Sequence, residues 1–241
     1  MRPRAVVTGG GRRVGRAVAL ELARCGFDVA IHYRGSENEA REVELACTQL
    51  GAESWTARAD LATTEGCLEL VDAIRARWDR LDLLVNNASL YEGVPFERIT
   101  PAEWDRMQAV NVRAPFLLSQ GLLPLLRHAR GLVVHLCDIG GERPVRGFAH
   151  YSVSKAALAM LVKAMAVELA PAVRAVGISP GHVVWPEHFD EVTRTRLARR
   201  IPMGEVGDPG DVARLVRFLA TEAPYLNGAI VAVDGGLSCR Y

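Results

Sequence analysis

Short runs of Val, Ile, Leu and Ala alternate along the chain with longer segments in which apolar residues recur at helical spacing. The runs fall at residues 5–8, 28–33, 53–58, 81–86, 131–137, 173–179 and 229–233. Most are apolar on both faces, as strands of a parallel sheet covered by helices on each side must be. Helical periodicity occupies 13–25, 37–50, 63–78, 101–130, 151–170 and 209–221, and the long 101–130 segment carries Pro115 and Gly121 as breakpoints. Strand–helix alternation from end to end predicts an α/β fold: one Rossmann-type, doubly wound parallel sheet forming a single domain over residues 1–241. The one long irregular stretch, 180–189, follows the sixth strand. Ligands in this architecture bind beyond the carboxyl ends of the strands, so that stretch is the expected lid.

Composition narrows the class. Basic residues number 29 and acidic residues 28, a net charge of +1, with 49% hydrophobic residues. That near-neutral balance disfavours a protein that coats nucleic acid or an anionic membrane surface. No apolar run reaches the roughly 18 residues of a membrane span. Met1-Arg2-Pro3-Arg4 leads straight into an apolar run and a glycine cluster, so no cleaved signal peptide is expected. The five cysteines are scattered, without a C-x-x-C pair, which predicts free thiols, no structural zinc and a cytoplasmic location. Among the basic residues only Lys155 and Lys163 are lysines; all others are arginines. A lysine that persists under such a bias is a candidate for chemistry.

Thr8-Gly9-Gly10-Gly11-Arg12-Arg13-Val14-Gly15 joins the first strand to the first helix. Glycines let the backbone approach a pyrophosphate, and the helix N-terminus offers N–H groups and a positive dipole end. A flexible turn is the plain alternative, but the strand–glycine–helix context is what a dinucleotide cradle requires. Arg13 stands where the pattern T-G-x-x-x-G-x-G has its middle glycine. The second strand ends His32-Tyr33-Arg34-Gly35-Ser36, without the acidic residue that accepts from an NAD ribose. Arg34 suits a 2′-phosphate, which favours NADPH, although a solvated surface arginine fits the spacing equally. Ser36 with Glu39 has the spacing of a capping box. Tyr151 and Lys155 project together from one helical face, where an ammonium is expected to stabilise a phenolate and lower the tyrosine pKa.

With these residues in place, the sequence resembles the short-chain dehydrogenase/reductase family over its whole length. The features stand in order: Thr8-Gly9 to Gly15, Asp60-Leu61, Asn86-Asn87-Ala88, Asn111, Tyr151 with Lys155, Pro180-Gly181 and Asp234-Gly235-Gly236. The resemblance implies a cofactor held by Gly9, Arg12, Arg13, Val14, His32, Arg34, Ser36, Asp60, Leu61, Asn87, Ala88, Ser89, Tyr151, Lys155, Pro180 and Gly181. It implies a proton-relay water between Asn111 and Lys155, and a homotetramer.

One departure carries the substrate reading. Thirteen residues before Tyr151, where most members have serine, stands Asp138. A carboxylate repels the electron density of a carbonyl oxygen but suits a basic ring nitrogen. A turn-capping aspartate before Gly140-Gly141 is the alternative. With Arg13, Ser89-Leu90-Tyr91 and Val184-Trp185-Pro186-Glu187, the set resembles the pteridine reductase branch. That resemblance implies catalysis by Asp138, Tyr151, Lys155 and Asn111, and a pterin-type heterocycle held by Arg13, Ser89, Tyr91, Asp138, Tyr151 and Trp185. Arg240 is the candidate to reach a neighbouring subunit's site. Two rival readings stay open: a carbonyl or 3-oxoacyl-thioester reductase of the same family, and an NADP(H)-binding redox sensor.

Overall fold

The computed structural model describes residues 2–185 and 189–240. Among these, seven strands form one parallel sheet: β1 (Arg4–Val7), β2 (Asp28–Tyr33), β3 (Ser54–Arg58), β4 (Leu83–Asn86), β5 (Leu132–Leu136), β6 (Arg174–Pro180) and β7 (Ile230–Val233). Their spatial order is β3-β2-β1-β4-β5-β6-β7, so the winding reverses between β1 and β4. Alternate residues face opposite sides. Ala5, Val7, Leu83 and Val85 enter one core layer, while Val6 and Leu84 enter the other.

The first layer is covered by α1 (Arg13–Arg24), α2 (Glu37–Gln49) and α9 (Pro209–Thr221). The second is covered by α3 (Thr64–Arg77), α5 (Ala114–Gly121), α6 (Leu123–Ala129) and α7 (Ala149–Glu168). Leu22, Leu70, Ile74, Leu118 and Leu126 are among the fully buried side chains that fill these layers. Burial on both faces is why the strands read as continuous apolar runs. Among the described residues, no single helix is long and apolar enough to cross a membrane.

Three features bear on the expected elements. First, the 101–130 segment is interrupted, as the breakpoints Pro115 and Gly121 predict. It comprises α4 (Pro101–Gln108), a π-helical turn at Ala109–Arg113, α5 and α6, with a 59° bend at the break before Leu123. Pro115 has no N–H to give the Asn111 carbonyl in the α-helical register, and the wider turn accommodates that loss. Second, α8 (Glu191–Ala198) lies where no helix was expected; it has no buried residue, so apolar periodicity is silent, and Asp190 caps it by accepting from Thr193 N at 2.8 Å. Third, Ser36 precedes α2 without a side-chain cap hydrogen bond, and Glu39 pairs instead with Arg12. The expected capping box is therefore absent, and the Arg12–Glu39 ion pair joins the start of α1 to α2.

The crevice at the reversal is held open by Thr8, the residue after β1. Its amide donates to the Val85 carbonyl at 3.0 Å, and its hydroxyl accepts from Asn87 N and Ala88 N, both at 2.9 Å. Thr8→Val keeps the shape but leaves Ala88 N without an acceptor and Asn87 N with only the Val85 carbonyl at 3.1 Å, at a cost of about 1–3 kcal/mol for a buried group. A lower urea midpoint with an unchanged m-value is the expected outcome, and an unchanged midpoint contradicts this role for the hydroxyl.

Candidate active site

The cradle follows from backbone geometry. Gly9 has φ +63°, and a Cβ on Gly15 would lie 2.2 Å from the Gly9 carbonyl oxygen and 2.6 Å from Asn87 Nδ2. Neither turn nor helix start admits a side chain at Gly15, so this spacing is a packing requirement. Arg13 has φ +49°. The middle position of the motif thus demands a left-handed residue, which glycine supplies readily and arginine adopts at a cost of about 1 kcal/mol. The departure from glycine is carried without a change in the turn.

His32 forms part of the frame. Its Nδ1 accepts from Gly9 N at 3.1 Å and its Nε2 donates to the Ala59 carbonyl at 3.1 Å. That tautomer uses both ring nitrogens. Burial pushes the imidazole down to about 4, so it stays neutral. Asn87 completes the frame, its Nδ2 donating to the carbonyls of Thr8 at 2.8 Å and Gly9 at 3.2 Å.

Around this frame lies a cavity of about 530 Å³ across the carboxyl ends of the strands, at the β1–β4 reversal. Gly9, Arg12, Arg13, Val14, His32, Arg34, Ser36, Asp60, Leu61, Asn87, Ala88 and Ser89 all line it. Of the sequence-predicted cofactor residues, Tyr151, Lys155, Pro180 and Gly181 lie outside that lining. Gly15 of the glycine motif lines it as well, while Tyr33, Gly35, Leu90 and Val110 join the lining unpredicted; the apolar side chains among them give no chemical signal in a sequence. Val184, from the stretch expected to form the lid, also lines it. Pro186 and Glu187 lie outside the described residues.

Next to the cavity the structure brings Asp138, Tyr151, Lys155 and Tyr91 together. Asp138 follows β5; its Oδ1 accepts from Gly140 N at 2.6 Å and its Oδ2 from the Tyr151 hydroxyl at 2.8 Å. Turn capping and a site contact are thus both present, one on each carboxylate oxygen. Lys155 is 3% exposed; its Nζ donates to the Leu136 carbonyl at 2.7 Å and stands 5.7 Å from the Tyr151 ring centroid. Burial holds this ammonium below the ordinary lysine value, with the Asp138 charge acting against that.

The expected lowering of the Tyr151 pKa is reversed. Burial, then the Asp138 charge, then the hydrogen bond to Asp138 all raise it. A carboxylate that accepts the phenolic hydrogen favours the protonated phenol, and the Lys155 ammonium is anchored on a carbonyl rather than on the phenol oxygen.

Tyr91 is 48% exposed and stacks on Phe148, with ring centroids 4.6 Å apart and planes at 16°. It also meets Tyr151 edge-on at 4.9 Å. Phe148 was missed in the sequence, although its place three residues before Tyr151 is the available signal. Trp185 joins a separate aromatic group, 4.9 Å from His182 and 6.3 Å from Phe189.

Asn111 is buried in the π-helical turn. Its Oδ1 accepts from Leu90 N at 2.8 Å and from the Ser89 hydroxyl at 3.1 Å, and its Nδ2 donates to Ser154 Oγ at 3.0 Å. The side chain ties the 89–90 segment to α7 and thereby places Tyr91 against Tyr151. Arg240 donates to the carbonyls of Arg199 and Arg200 at 3.1 and 3.0 Å, a cation satisfying the end of α8 within its own chain.

Comparison with known proteins agrees with this architecture. The family profile described as enoyl-(acyl carrier protein) reductase matches residues 10–238. The chain is 31% identical to 3-oxoacyl-(acyl-carrier-protein) reductase FabG of Staphylococcus epidermidis, over 98% of this chain and 99% of that one. It is also 31% identical to acetoacetyl-CoA reductase of Shinella zoogloeoides, over 96% and 97% of the two chains. A solved short-chain dehydrogenase/reductase of Serratia marcescens, in a doubly substituted form, superposes with a TM-score of 0.92 at 32% identity, over 98% of each chain. On likeness that runs through nearly the full length of both partners, this chain belongs to the short-chain dehydrogenase/reductase family and is a nicotinamide-dependent oxidoreductase.

Proposed function

We propose that the chain is an NADPH-dependent reductase acting on the C=N bond of a flat nitrogen heterocycle of the pterin kind. The cofactor fits the residues present: Gly9 and Gly15 permit the tight turn against Asn87 and Ala88 that borders the cavity, and the exposed Arg34 lines it as the cation that a 2′-phosphate would need. When bound, NADPH supplies the hydride.

A single contact carries the substrate reading, the 2.8 Å hydrogen bond from Tyr151 to Asp138. In it Asp138 acts as an acceptor. A ketone oxygen also only accepts, so it finds one donor, Tyr151, and a repelling neighbour. A pterin offers ring N–H and amino hydrogens, which Asp138 can accept. Tyr91, backed by Phe148, supplies a stacking face for a planar bicycle. Tyr151 and Asp138 together hold the proton that balances the hydride. Lys155 fixes the floor beneath Tyr151 through the Leu136 carbonyl.

Kinship favours a second reading. The curated relatives are named for reduction of 3-oxoacyl and acetoacetyl thioesters, and their likeness spans the whole chain. On that reading Tyr151 alone protonates the ketone oxygen. A sensing role is the weakest reading, because both Tyr151 and Lys155 are retained in contact with the site. Val153, Met160 and Val167 form an exposed apolar stripe on α7, and Phe116 is exposed on α5, which supports a homotetramer built on these helices. The scattered free thiols support a cytoplasmic location.

NADPH absorbance followed with dihydrobiopterin, dihydromonapterin, dihydrofolate and acetoacetyl-CoA separates the readings. Turnover of a dihydropterin is expected, with Asp138→Ala lowering its kcat/KM by about 100-fold and leaving the NADPH Kd unchanged. Turnover of acetoacetyl-CoA alone rejects the pterin reading. Arg34→Ala should weaken NADPH binding about 10- to 100-fold and NADH binding little, as loss of a charge-assisted contact requires; equal losses for both cofactors rule out the 2′-phosphate role.

A further inference from the structure

Past the end of β6, Gly181 N donates to the Val233 carbonyl at 3.0 Å, and the His182 carbonyl accepts from Gly207 N at 3.0 Å. A Cβ on Gly181 would lie 2.8 Å from Asp234 Cβ, so the chain runs hard against the end of β7 here. These contacts fix His182 as part of the sheet's rim. Its ring is half-buried and packs on Trp185 at 4.9 Å with planes at 35°.

The sheet places β5 between β4 and β6. Leu136 pairs with Ile178, and Cys137 N donates to the Ile178 carbonyl at 2.7 Å, so the residues just beyond β5 and β6 are neighbours. Asp138 leaves the middle strand. Tyr91 comes from beyond β4 on one side and His182 from beyond β6 on the other. The Asp138 charge acts on both rings, raising the Tyr91 phenol and opposing the lowering that burial imposes on His182. Arg200, just after α8, is the cation that acts on His182 in the opposite sense. The nearby carboxylates are otherwise engaged: Asp234 accepts from Gly236 N and Ser238 N, and Asp211 accepts from Asp208 N.

We propose that His182 is a substrate-contacting specificity residue, standing across Asp138 from Tyr91 and backed by Trp185. The imidazole gives the site a hydrogen-bond donor and an acceptor beside an acidic group that only accepts. A ligand between the two walls meets an aromatic face on one side and an imidazole on the other. The inference rests on Asp138 facing the substrate and holds for a heterocycle or a 3-oxoacyl thioester alike.

Two independent measurements test it. Histidine-labelled NMR, with the resonance assigned through His182→Phe, reads the imidazole directly. Removing the carboxylate in Asp138→Asn takes away an influence that raises the imidazole, so His182 should titrate at lower pH. An unmoved titration overturns the adjacency, whatever the substrate proves to be. In kinetics with NADPH and whichever of dihydrobiopterin or acetoacetyl-CoA is turned over, His182→Phe should raise KM about three- to tenfold, the loss of one hydrogen bond, with NADPH binding unchanged. In the wild type kcat/KM should fall in acid as the imidazole charges. His182→Asn, which still hydrogen-bonds but does not titrate, should restore KM and flatten that acid limb. An unchanged KM and acid limb in His182→Phe overturns the substrate contact.

Discussion

Tyr151 gives its phenolic hydrogen to Asp138, and the site is arranged around that bond. Asp138 leaves β5 with one carboxylate oxygen tied to Gly140 N, which aims the other at Tyr151. Lys155, one helical turn on, anchors to the last β5 carbonyl beneath the tyrosine ring. Tyr91 meets the same ring edge-on. Each neighbour therefore takes its place from the strand end or from the phenol. Burial and the carboxylate both favour the protonated phenol, so the pair stores a proton at the site instead of a phenolate.

That arrangement depends on a crevice made by topology. The strand order reverses between β1 and β4, so two loops diverge and leave space beyond the strand ends. Thr8 bridges the two strands, Asn87 ties back to the turn, and neutral His32 locks Gly9 to Ala59. Each bond satisfies a polar group that the tight glycine turn would otherwise leave unpaired. Asn111 extends the same logic across the site, from the 89–90 segment to α7, within a π-helical turn that Pro115 imposes. Stability and function are thus served by the same hydrogen bonds.

The strands were legible because burial on both faces writes an apolar run, and the cradle was legible because Gly15 has no room for a Cβ. The aspartate thirteen residues before Tyr151 was legible by its departure from serine. What sequence spacing did not convey was orientation. Tyr151 and Lys155 share a helical face, yet the ammonium bonds a carbonyl and the phenol bonds Asp138, so the expected pKa shift has the opposite sign. Ser36 and Glu39 have capping-box spacing, yet Glu39 finds Arg12 at the start of α1. α8 has no apolar stripe to announce it, and Phe148 and His182 acquire meaning only when β4, β5 and β6 are side by side.

A crystal structure with NADP+ and a non-reducible pterin analogue tests the central claim most directly. The predicted result is the analogue stacked against Tyr91 with its ring and amino nitrogens donating to Asp138. A bound analogue whose nitrogens leave Asp138 untouched, with that carboxylate bonded to Tyr151 alone, would contradict it.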